Sequence, residues 1–255
     1  LRRLALCPSP VPRARRHLAF PQLNLGMWCV YRRGVTVGFS VIIPGHGHPG
    51  WTFYTPFSTQ YSNTHVFATT LGAFITGFSS ILTGLNFIVT THRMRAPGLT
   101  WMRLPLFVWA IYATSVVMLL ATPVLAITLV LLMIERVLGV GIFDPALGGD
   151  PVLYQHLFWF YSHPAVYIMI LPGMAVVSEV VAAFTRKRIF GYKFVAFSSL
   201  AIAFLGFLVW AHHLFVAGIS VYAALGFSFP SLLLAGPSPI QVFNGTAPMY
   251  RAARA

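Results

Sequence analysis

The chain has 255 residues, of which 57% are hydrophobic and only 8% are charged. Its mean hydropathy of +0.77 lies well outside the balance of a soluble globular domain and indicates an integral membrane protein. The formal net charge of +13 would indicate a nucleic-acid partner in a soluble protein, so the positions of the charges must decide that question.

Apolar runs long enough to cross a bilayer, which takes about 20 helical residues, recur along the chain. Six candidate spans lie near residues 23–43, 64–91, 105–134, 153–184, 194–217 and 224–247. The first is interrupted by Arg32 and Arg33, and the sixth by three prolines, which weaken a helix prediction.

The pattern predicts an all-α fold, a polytopic transmembrane helical bundle of about six spans. The predicted transmembrane domain covers residues 23–247. An irregular basic leader, residues 1–22, precedes it, and a short basic tail, residues 248–255, follows it.

The basic residues are concentrated in alternate loops. They are Arg13, Arg15 and Arg16 in the leader, Arg93, Arg95 and Arg103 after the second span, Arg186, Lys187, Arg188 and Lys193 after the fourth, and Arg251 and Arg254 in the tail. The loop at residues 135–152 instead holds three acids against one arginine. This positive-inside pattern predicts cytoplasmic termini in a bacterial inner membrane and excludes nucleic acid as the reason for the charge.

Three histidines inside the predicted spans are the main candidates for function, because ionisable side chains are costly in a membrane. His163 lies in the fourth span, and His212 and His213 lie side by side in the fifth. Three imidazoles with no carboxylate or thiolate beside them suit copper, iron or zinc and leave a coordination position open. The alternative is that each ring is a buried group hydrogen-bonded to a neighbouring carbonyl.

The surroundings of His163 favour the metal site. Pro164 removes a backbone donor and allows the helix to bend beside the histidine. Tyr167 is one helical turn further on, on the same face, where its phenol can supply a proton and an electron to a metal site.

The second span carries a separate set of polar residues, namely Thr76, Ser79, Ser80, Thr83 and Asn86. Such residues commonly pack helices together or hydrogen-bond to their own backbone. A hydrated proton path is the alternative, which requires that this helix border the histidine cluster.

Several long segments resemble subunit I of the haem-copper oxidases, the catalytic subunit of cytochrome c oxidase. They are FPQLN at 20–24, GWTFYTPFS at 50–58, GFSSILTGLNFIVT at 77–90, PLFVWA at 105–110, FDPALGGDP at 143–151, QHLFWFYSHPAVYIMILPG at 155–173 and GFLVWAHHLFVAG at 206–218. The resemblance implies that His163, His212 and His213 ligate the active-site copper, and that Tyr167 is the tyrosine joined covalently to the His163 ring.

The resemblance also implies a route for protons. Many members have a glutamate two residues after the first copper ligand, where this chain has Ala165. The chain is similar instead to the YSHPxVY variant, in which Tyr161 and Ser162 would replace that carboxylate as proton donors. The remaining proton-path residues implied by the resemblance are Ser79, Ser80, Asn86 and Ser238.

Other positions depart from the family pattern. His17 stands where the family has an acid at the channel entrance, and Gln241 stands at the lysine of a second channel. The six spans would correspond to helices three to eight of about twelve, whereas the family's haem ligands lie on the second and tenth. The chain is therefore expected to be an internal fragment or truncated copy that holds copper but ligates no haem, and to be inactive by itself.

The resemblance implies a respiratory oxidoreductase that reduces dioxygen to water with electrons from cytochrome c and pumps protons, with copper and haem as cofactors and subunits II and III as partners. A quinol-oxidising relative is a first alternative. A non-catalytic remnant with only a copper half-site is a second. A metal transporter is disfavoured, because transport calls for several ligand sets along a path and the sequence offers one.

Overall fold

The computed structural model describes residues 18–39, 50–62 and 65–250, and His17 lies outside them. Within these residues the regular structure is entirely helical, which confirms the predicted fold class. The α-helices are α1 (Pro21–Gly38), α2 (Val66–Arg93), α3 (Leu106–Leu138), α4 (Pro151–Thr185), α5 (Tyr192–Gly206), α6 (Val221–Leu233) and α7 (Pro237–Thr246).

Four segments of the described chain are long and apolar enough to cross a membrane, so the protein is an integral membrane protein. They are α2, α3, α4 and the stretch Val221–Met249, which comprises α6, a turn and α7. The other two predicted spans form shorter helices: α1 has 18 residues and contains two arginines, and α5 has 15.

The fifth predicted span is helical only as far as Gly206. Phe207 and Leu208 donate their N–H groups to the carbonyls of Phe204 and Leu205, three residues back, which ends the α-helix in a tighter turn. A separate 3₁₀ turn, Trp210–Leu214, then holds His212 and His213. The prediction that these histidines lie within a helix spanning 194–217 is therefore wrong, because the chain leaves α-helical geometry at a glycine, a poor helix former.

The start of α4 is fixed by its own sequence. Asp150 accepts a hydrogen bond from the N–H of Val152 at 2.8 Å, and Pro151 occupies the first helical position. The helix then continues through Pro164 and Pro172 to Thr185. This cap marks the beginning of the long helix that carries His163 and Tyr167.

The helices α1 to α4 pack against one another in sequence order, and α5 packs against α3, α4 and α7. A buried core lies between α3, α4 and α5, where Val117, Leu171 and Ile202 are each no more than 1% exposed. The 3₁₀ turn after α5 packs against α4. This contact brings residues 210–214 alongside the middle of α4.

The two ends of the bundle carry opposite charge. At one end, the loops after α2 and α4 pack together through Leu104 and Ile189, and the indole N–H of Trp109 donates to the Tyr192 hydroxyl at 3.0 Å. The cations of these loops and helix ends are Arg93, Arg95, Arg103, Arg186, Lys187, Arg188 and Lys193. The loop between α3 and α4 forms the acidic end, so the alternation seen in the sequence corresponds to the two ends of one bundle.

Candidate metal centre

The three histidines singled out in the sequence lie together. Nδ1 of His163 is 3.0 Å from Nε2 of His213, and the ring of His212 is 4.6 Å from that of His163 and 4.5 Å from that of His213, between centroids. One nitrogen of each ring lies within 4.8 Å of one nitrogen of the other two. Nitrogen ligands about 2.0–2.1 Å from a metal lie roughly 3–4 Å from one another, so this spacing fits a single ion.

The donor set also fits a copper-type ion. Among the described residues, these three histidines are the side chains that lie close enough to share a metal ion in a group of three or more. The group contains no carboxylate or thiolate. Three neutral imidazoles suit copper, iron or zinc and leave a position open for a small ligand. His163 is buried, with 4% of its surface exposed, whereas His212 and His213 are half-buried.

Tyr167 lies beside His163, as the spacing of four residues on α4 predicts. Its hydroxyl is 3.0 Å from Nε2 of His163, and the two ring centroids are 4.9 Å apart. The phenol therefore contacts Nε2 of His163 and leaves Nδ1, which faces His213, available to a metal. The covalent link implied by the resemblance stays a prediction.

Gly206, the last residue of α5, makes room for the Tyr167 ring. A Cβ atom at this glycine would lie 2.8 Å from Cδ2 and 3.1 Å from Cε2 of Tyr167, closer than side chains pack. The end of α5 thus has two effects. The α-helix stops there, so the turn that follows can carry His212 and His213, and the absence of a side chain at Gly206 leaves space for the Tyr167 ring.

Trp159 is a member of the site that the sequence interpretation missed. Its ring stacks on His213, with centroids 3.6 Å apart and planes 6° apart, and its indole N–H donates to the Tyr54 hydroxyl at 2.6 Å. The spacing contained a signal, since Trp159 is one helical turn before His163 on the same face of α4.

Ser231 of α6 is a second residue that was missed. Its Oγ lies 2.9 Å from Nδ1 of His212. No local pattern links a serine in one helix to a histidine in a turn before it, so the contact depends on tertiary structure.

The two predicted proton donors differ in their surroundings. Ser162 is buried, with 7% exposed, next to His163 in the chain. Tyr161 borders a cavity of about 360 Å³ between α1, α2, α3 and α4, and Ser80 lines the same cavity. None of the three histidines lines this cavity, so the proton path along α2, which required that helix to border the cluster, stays a prediction.

The other channel candidates on α2 make packing contacts. Ser79 donates to the carbonyl of Met27 at 3.0 Å, and Asn86 bonds to both the N–H and the carbonyl of Phe20 at 3.1 Å. These contacts attach α1 to α2 and agree with the helix-packing interpretation of these residues. Their role in proton transfer stays a prediction.

On α7, the candidate Ser238 and Gln241, which stands at the family's lysine position, both bond to groups other than the histidines. Ser238 donates to the carbonyl of Leu234 at 3.1 Å, within its own chain segment. Gln241 is buried and donates from Nε2 to Oγ of Ser199 on α5 at 2.6 Å. The amide is thus held in a neutral hydrogen bond between two helices.

Comparisons with known proteins agree with the motifs. The family described as Cytochrome C and Quinol oxidase polypeptide I matches residues 6–254. Relatives named cytochrome c oxidase subunit 1 are 41% identical in Bacillus sp. (strain PS3), 40% in Bacillus subtilis (strain 168) and 43% in Thermostichus vulcanus. The matches cover 94%, 92% and 94% of this chain but 39%, 38% and 44% of those relatives, so the chain spans about two fifths of their length.

Proposed function

This chain belongs to the Cytochrome C and Quinol oxidase polypeptide I family, and on that premise we propose that it carries the copper site of a respiratory haem-copper oxidase, a proton-pumping oxidoreductase that reduces dioxygen to water. The observation that carries this proposal is the cluster of His163, His212 and His213 with the Tyr167 hydroxyl against it. Relatives named cytochrome c oxidase favour cytochrome c as the electron donor. Haem, subunits II and III, and a bacterial inner membrane with cytoplasmic termini are proposed from the same relationship and the charge pattern.

Each residue of the site has a distinct task in this proposal. When bound, copper supplies a redox centre at which dioxygen can be held and reduced. His163, His212 and His213 hold the ion through three ring nitrogens, and Trp159 supports His213 by stacking on it. Tyr167 holds a proton on its hydroxyl, 3.0 Å from Nε2 of His163, and this phenol is the proposed proton donor of the site.

Proton supply to this site is proposed to run through the cavity shared by Ser80 and Tyr161. Two of its other lining residues, Thr69 and Thr76, are also hydroxyl-bearing, and hydroxyl groups can order water for proton transfer. Tyr161 stands at the α4 side of the cavity, two residues before His163, with the buried Ser162 between them. Protons would pass from the cavity to Tyr161 and Ser162, which take the place of the glutamate found in many members.

A second candidate is a non-catalytic copper-binding remnant. Gln241 favours it, because the amide is buried in a hydrogen bond with Ser199 at the position where the family has a lysine. A quinol oxidase is the alternative donor class, since the family description covers both cytochrome c and quinol oxidases.

Copper binding tests the proposal directly. We expect the purified protein in detergent to retain about one copper per chain, and His163→Ala to lose it, because two half-buried imidazoles alone hold copper weakly. His156→Ala is the matched control: His156 is also on α4 but bonds to the indole of Trp210 at 3.2 Å, outside the cluster. Equal copper in the wild type and His163→Ala would contradict the ligand assignment.

Oxygen uptake separates the oxidase from the remnant. Because the chain spans about two fifths of its relatives' length, it would replace the corresponding segment of a host subunit I and be expressed with the other oxidase subunits, and oxygen consumption would be measured with reduced cytochrome c and, separately, with a quinol. The oxidase proposal expects uptake that falls to background in Tyr167→Phe. Copper binding with no uptake from either donor would favour the remnant.

A further inference from the structure

Ser231 makes two contacts at once. Its Oγ is 2.6 Å from the carbonyl oxygen of Phe227, one turn back on α6, and 2.9 Å from Nδ1 of His212. A serine hydroxyl has one hydrogen to donate and two lone pairs with which to accept. Which of the two neighbours receives the hydroxyl hydrogen therefore depends on whether each neighbour can donate a hydrogen or can only accept one.

The carbonyl of Phe227 can only accept, so the hydroxyl hydrogen goes to it across the shorter of the two distances. The same oxygen then has lone pairs left for His212, and a lone pair attracts an N–H rather than a second lone pair. His212 consequently carries its hydrogen on Nδ1. In a neutral imidazole this leaves Nε2 without a hydrogen and able to bind a metal.

We propose that Ser231 is a positioning residue that fixes His212 in the tautomer and orientation required of a copper ligand. This inference rests on the copper site proposed above. It assigns a role to α6, which contributes no histidine to the cluster, and makes the metal centre depend on three separate parts of the fold: α4, the turn after α5, and α6. Outer partners of this kind hold ligand rings in place and raise their basicity.

The hydroxyl is itself fixed by the helix. Its bond to the carbonyl of Phe227 is the backbone-directed contact that serines adopt in helices of membrane proteins. The acceptor for His212 therefore stands on a regular helix rather than on a mobile loop, so its direction is set by the backbone. Pro230, which lies within α6, directly precedes it.

Copper affinity, measured by competition with a chelator, is the first test. We expect Ser231→Ala to lower the affinity about 10- to 100-fold, the loss typical when an outer partner of a histidine ligand is removed. Ser231→Thr retains the hydroxyl and should restore the affinity. Ser228→Ala is the matched control, because Ser228 is on the same helix, is exposed and bonds only to the carbonyl of Ala224 at 2.8 Å.

Nitrogen NMR of the metal-free protein, labelled with ¹⁵N-histidine, is the second test, with the His212 signals assigned by their absence in His212→Asn. We expect the hydrogen on Nδ1 in the wild type and in Ser231→Thr, and a mixture of tautomers in Ser231→Ala. A wild-type hydrogen on Nε2, or wild-type affinity in Ser231→Ala, would overturn the inference. A wild-type chain that binds no copper would instead overturn the proposed function, while the NMR result still decides the role of Ser231.

Discussion

At the scale of single residues, the Tyr167 ring packs directly against Gly206, which has no side chain. The Tyr167 ring occupies the space where any other residue at position 206 would place its Cβ. The hydroxyl of the same ring lies 3.0 Å from His163. A movement of the ring by a few tenths of an ångström therefore changes the contact on which the proposed proton donation depends.

We expect Gly206→Ala to displace Tyr167 and weaken its hydrogen bond to His163, because the added Cβ would lie 2.8 Å from the ring. The ¹⁵N signals of His163 in the metal-free protein would report this, shifting toward those of Tyr167→Phe. Gly173→Ala is the matched control on α4, since a Cβ there meets nothing within 4 Å. Unchanged His163 signals in Gly206→Ala would show that the ring tolerates the methyl group.

At the scale of helices, α1 and α2 cross at a contact made by backbone. A Cβ at Gly72 would lie 2.6 Å from the carbonyl oxygen of Gly34 and 2.5 Å from the backbone nitrogen of Gly38. Small residues allow helices in membranes to approach this closely, and van der Waals contact then replaces the hydrophobic drive available in water. The same crossing borders the cavity that reaches Tyr161.

We expect Gly72→Ala to destabilise the protein by about 1–3 kcal/mol, the usual cost of overpacking, because the obstructing atoms belong to backbone and cannot rotate away. Thermal unfolding in detergent micelles would show a lower midpoint. Gly26→Ala is the control on α1, where a Cβ meets nothing within 4 Å and the alanine should be neutral or stabilising. Equal unfolding midpoints in the two variants would refute the close crossing.

At the scale of the whole molecule, charge divides the bundle into two ends. Glu179 is the one acid that lies toward the basic end, whereas Glu135, Asp144 and Asp150 lie at or beside the opposite loop. Glu135 is fully buried there and accepts hydrogen bonds from the N–H groups of Ile142 and Phe143. An asymmetry of this kind orients a membrane protein with its basic end toward the cytoplasm.

We expect a cysteine at position 188 to react with a membrane-impermeant thiol reagent only in inverted membrane vesicles, and a cysteine at position 147 only in intact cells. Arg188 is exposed in the loop after α4, and Leu147, which is 49% exposed, lies in the acidic loop. The variants Arg188→Cys and Leu147→Cys would be made in a background without Cys7 and Cys29. The reverse labelling pattern would invert the proposed topology.

The sequence by itself determined the membrane character, the helical fold and, to within a few residues at each end, α2, α3 and α4. These features depend on local composition and on hydrophobic runs of spanning length, which a single segment contains in full. It also determined the pairing of His163 with Tyr167, because a spacing of four residues on one helix fixes two side chains on the same face.

Only the tertiary structure decided how the metal centre is completed. The end of α5 at Gly206, the stacking of Trp159 on His213 and the hydrogen bond from His212 to Ser231 join residues from different segments. The same holds for the cavity that brings Ser80 of α2 to Tyr161 of α4. Such contacts depend on which helices pack together and at what depth, and no local periodicity records that, so the histidines could be recognised in the sequence while the residues that hold them could not.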